Sequence, residues 1–493
     1  MAKLNITTTP EGNLLWYPDD GSDAVMYNLG DLAWVITATA LVSMFVPGLA
    51  LLYSGLLRRK NALSMLFLCF AIFALGTLHW MLFGYSLAYS DTGGAPFIGD
   101  FKWGGYKDVN INPSPVATVP SLLYAIYQSQ FEAITMVVMV AGAAERCRMF
   151  PMFFYLFCWA TIVYCPVAYW TWNARGWLYT LGELDFAGGG PVHIASGFGS
   201  FMLSIFLGPR RGYGTPALDY RPQSVTLICL GTGFIWFGWL AFNGASMSAI
   251  SLKSISCVVN TNLAASAGAL TWLAVDYLYT RKYSAVGLCS GILAGMIGIT
   301  PAVGYVSAPG SLAVGAGAAL VSNFATSIKH YIKVDDPVDV GALHGMGGIA
   351  GAILTGFFAD SWVSAWDGAT DIEGGWIDHN YKQMGYQLAG CLTIAAYTSV
   401  VSYSLLVVIN LIPGCKFRCS EDYEIIGVDE GELGEFAHDY LHLDRDISYD
   451  TSIRGRSVEP KVTNLQDQSA SPTSTKEETE GNVQPVEEVV SRG

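Results

Sequence analysis

Charged side chains are scarce in this chain: 13% of its 493 residues are charged, whereas 52% are hydrophobic. Soluble domains ordinarily carry about 25% charged residues, so the composition excludes an ordinary soluble protein. No basic stripe is present, which excludes the usual pattern of a nucleic-acid partner. Most of the net charge of −14 lies after Ser420, and the preceding sequence is nearly neutral. We therefore expect an integral membrane protein in a lipid bilayer.

The motifs of several protein classes are also missing. The sequence has no HExxH zinc motif, no phosphate loop between a strand and a helix, and no CxxC pair among its ten cysteines. No basic segment followed by a short apolar run begins the chain, so we expect no cleaved signal peptide. These absences predict a protein that is not an enzyme and has no cofactor, no bound metal and no disulfide framework.

Long apolar runs are present instead. A helix needs about 20 predominantly apolar residues to cross the hydrocarbon core of a bilayer. Windows of that size predict an all-α polytopic membrane protein, with eleven transmembrane helices in a domain of residues 32–412. They lie near residues 32–57, 62–89, 118–143, 150–172, 189–208, 223–245, 257–279, 284–305, 311–328, 341–361 and 384–412.

The distribution of lysine and arginine orients these spans. Alternate connections hold fourteen of these residues, and the other connections hold six. Because basic residues accumulate on the cytoplasmic side, we predict an N-terminus outside, with residues 1–31 extracellular, and a C-terminus inside. The sequon at Asn5 then lies on the outer side as a glycosylation candidate, although such tripeptides are common by chance.

Two histidines lie deep in apolar sequence, where ionisable side chains are costly and mark functional sites by default. His193 and His344 each follow an aspartate by eight residues, Asp185 and Asp336. A single buried histidine is more often a satisfied core residue, but two with matched acid spacing favour a site. Their spans run in opposite directions, which predicts an inverted repeat of five plus five helices, plus one, with the site near the midplane.

Four motifs resemble signatures of the Amt/Mep/Rh ammonium transporter family. They are the stretch from Asp185 to His193, the run Val334 to Pro337 leading to His344, the run Trp239 to Asn243, and Pro47-Gly48 followed by Tyr53 to Gly55. The resemblance covers about residues 30–440 and in detail is similar to fungal ammonium permeases of the high-affinity type. It implies uptake of ammonium or methylammonium across the plasma membrane by a multi-pass homotrimer with one pore per subunit.

The resemblance also implies a role for residues along that pore. They are Trp172, Ser246 and Tyr127 for outer recruitment of the cation, Phe131 and Phe242 for a gate, and His193 and His344 for proton handling. An aromatic face attracts a small cation, although Trp172 would equally suit an interfacial belt. Apolar packing alone would also explain the two phenylalanines. Neutral imidazoles offer a donor and an acceptor, so the pair can share a proton and solvate ammonium or ammonia.

Supporting roles follow for residues beside this pathway. Asp185 is expected to orient backbone and stabilise the cation's field, or to cap the next helix, and the two roles are compatible. Trp239 is expected along the pore wall and Tyr164 near the outer vestibule. Asp336 and Asp339 are expected to cap the tenth span or to bind the cytoplasmic tail.

Glu132 departs from the family pattern, which has a small residue beside the gate. A carboxylate that faced lipid would be expensive, so either a polar helix interface or a tuned entrance would explain it. Two other functions stay open as well: an ammonium sensor that signals through its tail, and a Rh-like gas channel. Trp172 and Ser246 favour recruitment of a cation over the gas channel.

The composition changes after the last span. Residues 413–447 keep apolar and aromatic positions and resemble the ordered cytoplasmic segment of the family. Residues 448–493 are acidic, polar and rich in Ser, Thr, Glu and Pro, so we expect a disordered regulatory tail. Ser457 in this tail follows Arg454-Gly455-Arg456 and fits a basophilic kinase site, although a chance cluster would give the same pattern.

Phosphorylation of Ser457 would add charge to the tail, change how it docks and so gate transport. We expect cells that depend on this protein to fail on low ammonium with Ser457→Ala and to grow with Ser457→Asp. Growth rate on low ammonium measures the effect, and equal growth of the two variants would refute the hypothesis.

Overall fold

Apolar helices dominate the structure, a computed structural model that describes residues 6–18, 21–93, 96–114, 119–215 and 222–437. Within these residues nine helical segments are long and apolar enough to cross a membrane, which confirms a mostly helical, multi-pass membrane protein. They are Leu29–Leu56, Arg59–Tyr89, Met149–Leu181, Gly189–Leu207, Val225–Gly244, Leu252–Thr280, Ala308–Ile332, Gly341–Phe358 and Lys382–Asn410. Asn5, Ser457 and the predicted tail 448–493 lie outside the described residues.

Two of the eleven predicted spans are helical but do not reach the same length and apolarity. Ser121–Met139 carries the polar side chains of Gln128, Gln130 and Glu132. Ala285–Ile299 has 15 residues and ends before the predicted residue 305. It ends there because Pro301 has no N–H to continue the helical hydrogen bonds. The count of eleven therefore stays a prediction.

The segments are divided into shorter helices whose ends follow local sequence. Among the described residues the α-helices are α1 (Leu29–Val42), α2 (Phe45–Leu56), α3 (Ala62–His79), α4 (Tyr85–Tyr89), α5 (Ser121–Met139), α6 (Met149–Trp159), α7 (Cys165–Trp172), α8 (Trp177–Leu181), α9 (Ala195–Leu207), α10 (Val225–Gly244), α11 (Leu252–Thr280), α12 (Ala285–Ile299), α13 (Ala308–Ala325), α14 (Ile328–Ile332), α15 (Gly347–Phe358), α16 (Ser361–Ser364), α17 (Lys382–Asn410) and α18 (Glu421–Ile426). Asn28 caps α1 by accepting from the N–H groups of Gly30 and Asp31, and Ser251 forms a capping box at α11.

Four of these helical segments contain a π-helical turn, a wider turn that often occurs at functional sites. The turns are Trp80–Gly84 after α3, Ala160–Tyr164 between α6 and α7, Gly189–Ile194 before α9, and Gly341–Met346 before α15. Each adds to its helix a turn whose side chains point in directions that a regular α-helix does not offer. The hydrophobic pattern predicted the spans but not these turns.

A small sheet at the N-terminus corrects the expectation of a purely helical chain. Strands β1 (Ile6–Thr8), β2 (Leu14–Trp16) and β3 (Val25–Tyr27) form one antiparallel sheet in the order β1-β2-β3. The first hairpin turns at Gly12, whose φ of +89° suits glycine. Because each strand has only three residues, the alternation that identifies strands in a sequence is too short to detect.

The C-terminal segment packs on the same end of the helices as the loop before α3. The Asp429 carboxylate accepts the N–H groups of Leu63 at 2.9 Å and Ser64 at 2.6 Å, at the first turn of α3. Lys60 donates from Nζ to the Ile425 carbonyl at 2.7 Å. An acid at a helix N-terminus satisfies N–H groups that have no partner within the helix. These bonds tie the described residues after α17 to the helical domain.

A buried charge network joins four loops at this end. Glu145 accepts from Arg58 at 2.8 Å and from Arg210 at 2.9 Å, and Arg210 pairs with Asp335 at 2.8 Å. Burial alone would raise the pKa of the Glu145 carboxyl, but the guanidinium groups of Arg210 and Arg58 outweigh it and lower that pKa to about 2. The network therefore fixes the positions of the loops after α2, α5, α9 and α14.

We expect the Glu145 ion pairs to make stability depend on acid. Because the folded-state pKa lies below the usual value of 4.5, the stabilisation is complete above that pH and is lost as the pH falls towards 2. Its size is on the order of 3 kcal/mol. Unfolding temperature in detergent, measured from about pH 7 down to about pH 3, should fall more steeply for the wild type than for Glu145→Gln.

The matched control is Glu435→Gln on the exposed surface of the C-terminal segment, which should leave the acid dependence unchanged. Glu145→Gln should also lower the unfolding temperature at neutral pH, because it leaves Arg210 with one carboxylate partner. Parallel pH profiles for the wild type and Glu145→Gln would contradict this account.

Candidate functional site

The two predicted histidines meet inside the helical domain. His193 lies in the π turn Gly189–Ile194 and His344 in the π turn Gly341–Met346. Their Nδ1 atoms are 3.2 Å apart and both residues are buried. Such a contact needs one N–H and one lone pair, so the two rings hold one proton between their Nδ1 atoms. The Nε2 atom of His193 has no hydrogen-bond partner in the described structure.

Each histidine turn begins on an aspartate in the same way. Asp185 accepts three backbone N–H groups, from Gly188 and Gly189 at 2.8 Å and from Gly190 at 2.7 Å. Asp336 accepts the N–H of Gly341 at 2.8 Å. In both cases the fifth residue after the aspartate donates to its Oδ2. The capping role expected for both aspartates therefore matches their geometry.

The two histidine turns are held together by a close backbone approach. A Cβ at Gly197 would lie 2.1 Å from the backbone nitrogen of Gly345 and 2.4 Å from its Cα. Both distances are far below van der Waals contact, and the atoms met are backbone atoms that cannot move aside. Only glycine therefore allows α9 to reach the turn that carries His344.

A column of aromatic rings leads to the histidines. Phe131 and Phe242 stack at 4.1 Å between centroids and 24° between planes. Trp172 meets the edge of Phe131 at 6.0 Å. Beyond the stacked pair, Phe242 contacts Trp239 at 6.0 Å, and Trp239 stacks on His193 at 5.2 Å. The structure thus brings these predicted site residues into one continuous path.

Two predicted recruitment residues hold the Phe242 backbone. Tyr127 donates its hydroxyl to the Phe242 carbonyl at 2.8 Å, and Ser246 donates to the same oxygen at 2.6 Å. Trp172 donates Nε1–H to the carbonyl of Asp185 at 3.1 Å. The bonds from Tyr127 and Ser246 fix the backbone of Phe242 within the column. The bond from Trp172 fixes the outer end of the column to Asp185, the residue that caps the His193 turn.

A narrow cavity of about 110 Å³ lies beyond the stacked rings. It extends from Phe242 past His193 and His344 to Thr326 and Asp339, and its walls are otherwise mainly apolar. A water molecule needs about 10–15 Å³ of such space, so the cavity has room for several small molecules. Such a cavity disfavours a hydrated ion and admits a small neutral molecule.

Three other predicted residues lie away from the column. Tyr164 packs against Trp80 at 6.2 Å, and its buried hydroxyl has no partner in the described structure. Asp339 pairs with Lys329 at 2.6 Å rather than with the C-terminal segment. Asp336 is the third, and burial and the neighbouring Asp339 raise the pKa of its carboxyl to about 6. The contact of Tyr164 with Trp80 places that tyrosine in an aromatic cluster beside the column.

The sequence reasoning missed one buried ionisable residue, His79. It lies at the end of α3 and contacts Glu132 of α5, with 2.7 Å between Nδ1 and Oε1, and neither residue has any solvent exposure. Glu132 therefore faces a polar helix interface, the first of its two expected explanations. The signal was available, because His79 lies within apolar sequence as His193 and His344 do, but no aspartate at a matching spacing marked it.

Known proteins are similar to this chain in sequence and in fold. Residues 33–438 match the family model of the Ammonium Transporter Family. Ammonium transporter MEP2 of Saccharomyces cerevisiae is 44% identical over 444 residues, which cover 88% of this chain and 89% of that protein. Ammonium transporter 1 of Schizosaccharomyces pombe is 46% identical over 416 residues, covering 84% and 83%. The crystal structure of Candida albicans Mep2 is similar with a TM-score of 0.77 at 44% identity, covering 83% of this chain and 90% of that one.

We expect Gly197→Ala to separate the two histidine turns. The added methyl group collides with the backbone of Gly345, and overpacking of this kind costs about 1–3 kcal/mol. Thermal unfolding of the purified protein measures the loss. Gly233→Ala is the matched control, because a Cβ at Gly233 in α10 meets nothing within 4 Å and alanine favours the helix. Equal unfolding temperatures for the two variants would contradict the close approach.

Proposed function

The chain belongs to the Ammonium Transporter Family, and on that premise we propose that it takes up ammonium through the aromatic column and past the two histidines. The resemblance seen in four sequence motifs is confirmed, and its relatives are transporters rather than enzymes. The observation that carries the proposed route is the direct contact of His193 with His344 at the end of the column.

In this proposal the outer end of the column recruits the cation. Ammonium is small and carries four N–H donors, and the face of a tryptophan attracts such an ion by about 0.5–2 kcal/mol. Trp172 supplies that face, and it is held by its bond to the Asp185 carbonyl. Tyr127 and Ser246 contribute by fixing the carbonyl of Phe242. Their own hydroxyl oxygens retain lone pairs that can accept from the ion.

The stacked phenylalanines then act as the gate. With 4.1 Å between the centroids of Phe131 and Phe242, the rings are in van der Waals contact and no ion passes between them. A rotation of one ring opens the path without moving a helix. Hydrated alkali ions would have to lose water against an apolar surface here, and the phenylalanine rings offer no oxygen ligands to replace that water.

The paired imidazoles handle the proton beyond the gate. A bare ammonium ion in an apolar cavity bears a heavy desolvation penalty, whereas neutral ammonia crosses far more easily. The unpartnered Nε2 of His193 is the natural acceptor on the pore side, and the contact between the two Nδ1 atoms passes the proton to His344. The rings therefore solvate both the charged and the neutral form of the substrate.

The architecture that accompanies this route is also proposed. The matched bonds of Asp185 and Asp336 to the following turns support an inverted repeat of five plus five helices, with an eleventh helix added. The excess of basic residues in alternate loops supports an outer N-terminus and a cytoplasmic C-terminus. A homotrimer in the plasma membrane follows from the family resemblance.

Uptake of labelled methylammonium by cells without their own permeases tests the proposal, together with currents recorded on addition of ammonium. We expect uptake by the wild type and an altered flux or selectivity in both His193→Ala and His344→Ala. His330→Ala is the matched control, because His330 is a histidine of α14, away from the cavity lining. Binding without uptake would indicate a sensor instead, and unchanged flux in both variants would refute the role of the pair.

A further inference from the structure

A further buried histidine, His79, pairs with a glutamate in the helical domain, apart from the aromatic column. His79 ends α3, and Glu132 follows the gate residue Phe131 in α5. Both side chains have 0% exposure, and 2.7 Å separates His79 Nδ1 from Glu132 Oε1. Ionisable groups at this depth are expensive and mark a function by default. Nothing in the proposed route uses this pair.

The hydrogen bonds around His79 fix its proton count. Its Nε2 lies 2.7 Å from the hydroxyl oxygen of Thr161. Thr161 donates its own hydrogen to the carbonyl of Phe157 at 3.1 Å, and a carbonyl only accepts. In that arrangement the hydroxyl oxygen accepts from His79, and Nε2 carries a proton.

With Nε2 protonated, the contact between Nδ1 and Glu132 holds one more proton. Either an imidazolium donates to a carboxylate, or a carboxylic acid donates to a neutral ring. Both forms have the same total charge of zero, which is the state least costly to bury. The geometry thus assigns one acidic proton to the pair.

Loss of that proton would rearrange the bonds. The ring would move its remaining hydrogen to Nδ1, to face the carboxylate, and Nε2 would become an acceptor. Thr161 would then turn its hydrogen from Phe157 towards His79. The pair would carry one negative charge, on a carboxylate one residue from the gate.

The surroundings offer that negative charge little compensation. The Sγ of Cys165 lies 3.7 Å from Oε2, and Tyr164 and Tyr106 are the tyrosines that interact electrostatically with Glu132. Among the described residues, the ion pair of Glu132 is with His79. A Cβ at Gly84 would lie 2.7 Å from Oε2, so the packing is tight.

We propose that His79 and Glu132 form a proton-binding site that tunes the outer gate. With its proton bound the site is neutral, as in this structure. When the proton leaves, the negative charge on Glu132 stabilises a cation at Phe131 through the low-dielectric interior. Glu132 is then a positioning and affinity-determining residue rather than a catalytic one. This inference builds on the proposed transport function.

The first test reads the protons directly. Side-chain nitrogen NMR of histidine-labelled protein, with the His79 signals assigned by their loss in His79→Gln, should show Nε2 protonated at low pH. The hydrogen should move to Nδ1 as the pH is raised from mildly acidic to mildly alkaline values. A His79 ring protonated only at Nδ1 throughout would overturn the proposal, whether or not the protein transports.

The second test is the KM for methylammonium, which stays a cation over that pH range. We expect the wild-type KM to fall on the order of tenfold as the pH rises, because a charge near the gate attracts the cation. Glu132→Gln is neutral at every pH and should give a flat profile. Thr161→Val removes the partner of Nε2 in both forms, so the midpoint of its profile should differ from that of the wild type.

Thr355→Val is the matched control. Thr355 is also buried and also donates to the carbonyl four residues before it, that of Gly351, at 2.8 Å. It does not contact the pair, so its profile should follow that of the wild type. The same pH profile in Glu132→Gln and the wild type would overturn the proposal, and an absence of uptake by the wild type would instead refute the transport function.

Discussion

The structure depends on one constraint: a polar group inside a bilayer must find its partner within the protein, because the hydrocarbon offers none. Asp185 illustrates this constraint, since its carboxylate accepts the three N–H groups that the His193 turn leaves without helical partners. Asp429 does the same for the first turn of α3. Nε2 of His193 is without a hydrogen-bond partner in the described structure, and His193 lines the cavity.

The π turns explain how two histidines on different helices come into contact. In a regular α-helix, residues on one face recur every three or four positions. A ring on the face towards a neighbouring helix would then pack against that helix. Both rings lie in wider turns, at Gly189–Ile194 and Gly341–Met346, and they meet there. The close approach of Gly197 to Gly345 then brings the turns within hydrogen-bond distance. Backbone irregularity and small residues thus serve one contact.

Much of this arrangement could be predicted from the sequence, because apolar length predicts spans and matched spacing links Asp185 with His193. The gate pair and Trp172 came from motif resemblance. Phe131 and Phe242 do stack, and their role as a gate stays a prediction. The N-terminal strands could not be predicted, because three residues show no alternation. Neither could the partner of Glu132, since a contact between α3 and α5 depends on how the helices are rotated. Spacing within one helix carries no information about rotation between two.

The His193–His344 pair and the His79–Glu132 pair show how the hydrogen-bond partners of an imidazole decide which chemistry it can perform. His193 and His344 have the same ring as His79, but their site keeps a nitrogen without a protein partner, and it opens on a cavity. His79 has both nitrogens engaged, one by a carboxylate and one by a hydroxyl, so it can take no substrate. What it can do is bind or release a proton, and any change of charge there reaches the gate through space. In the proposed mechanism, therefore, the histidines that line the cavity handle the substrate, and the closed pair nearby alters only the electric field that the substrate meets.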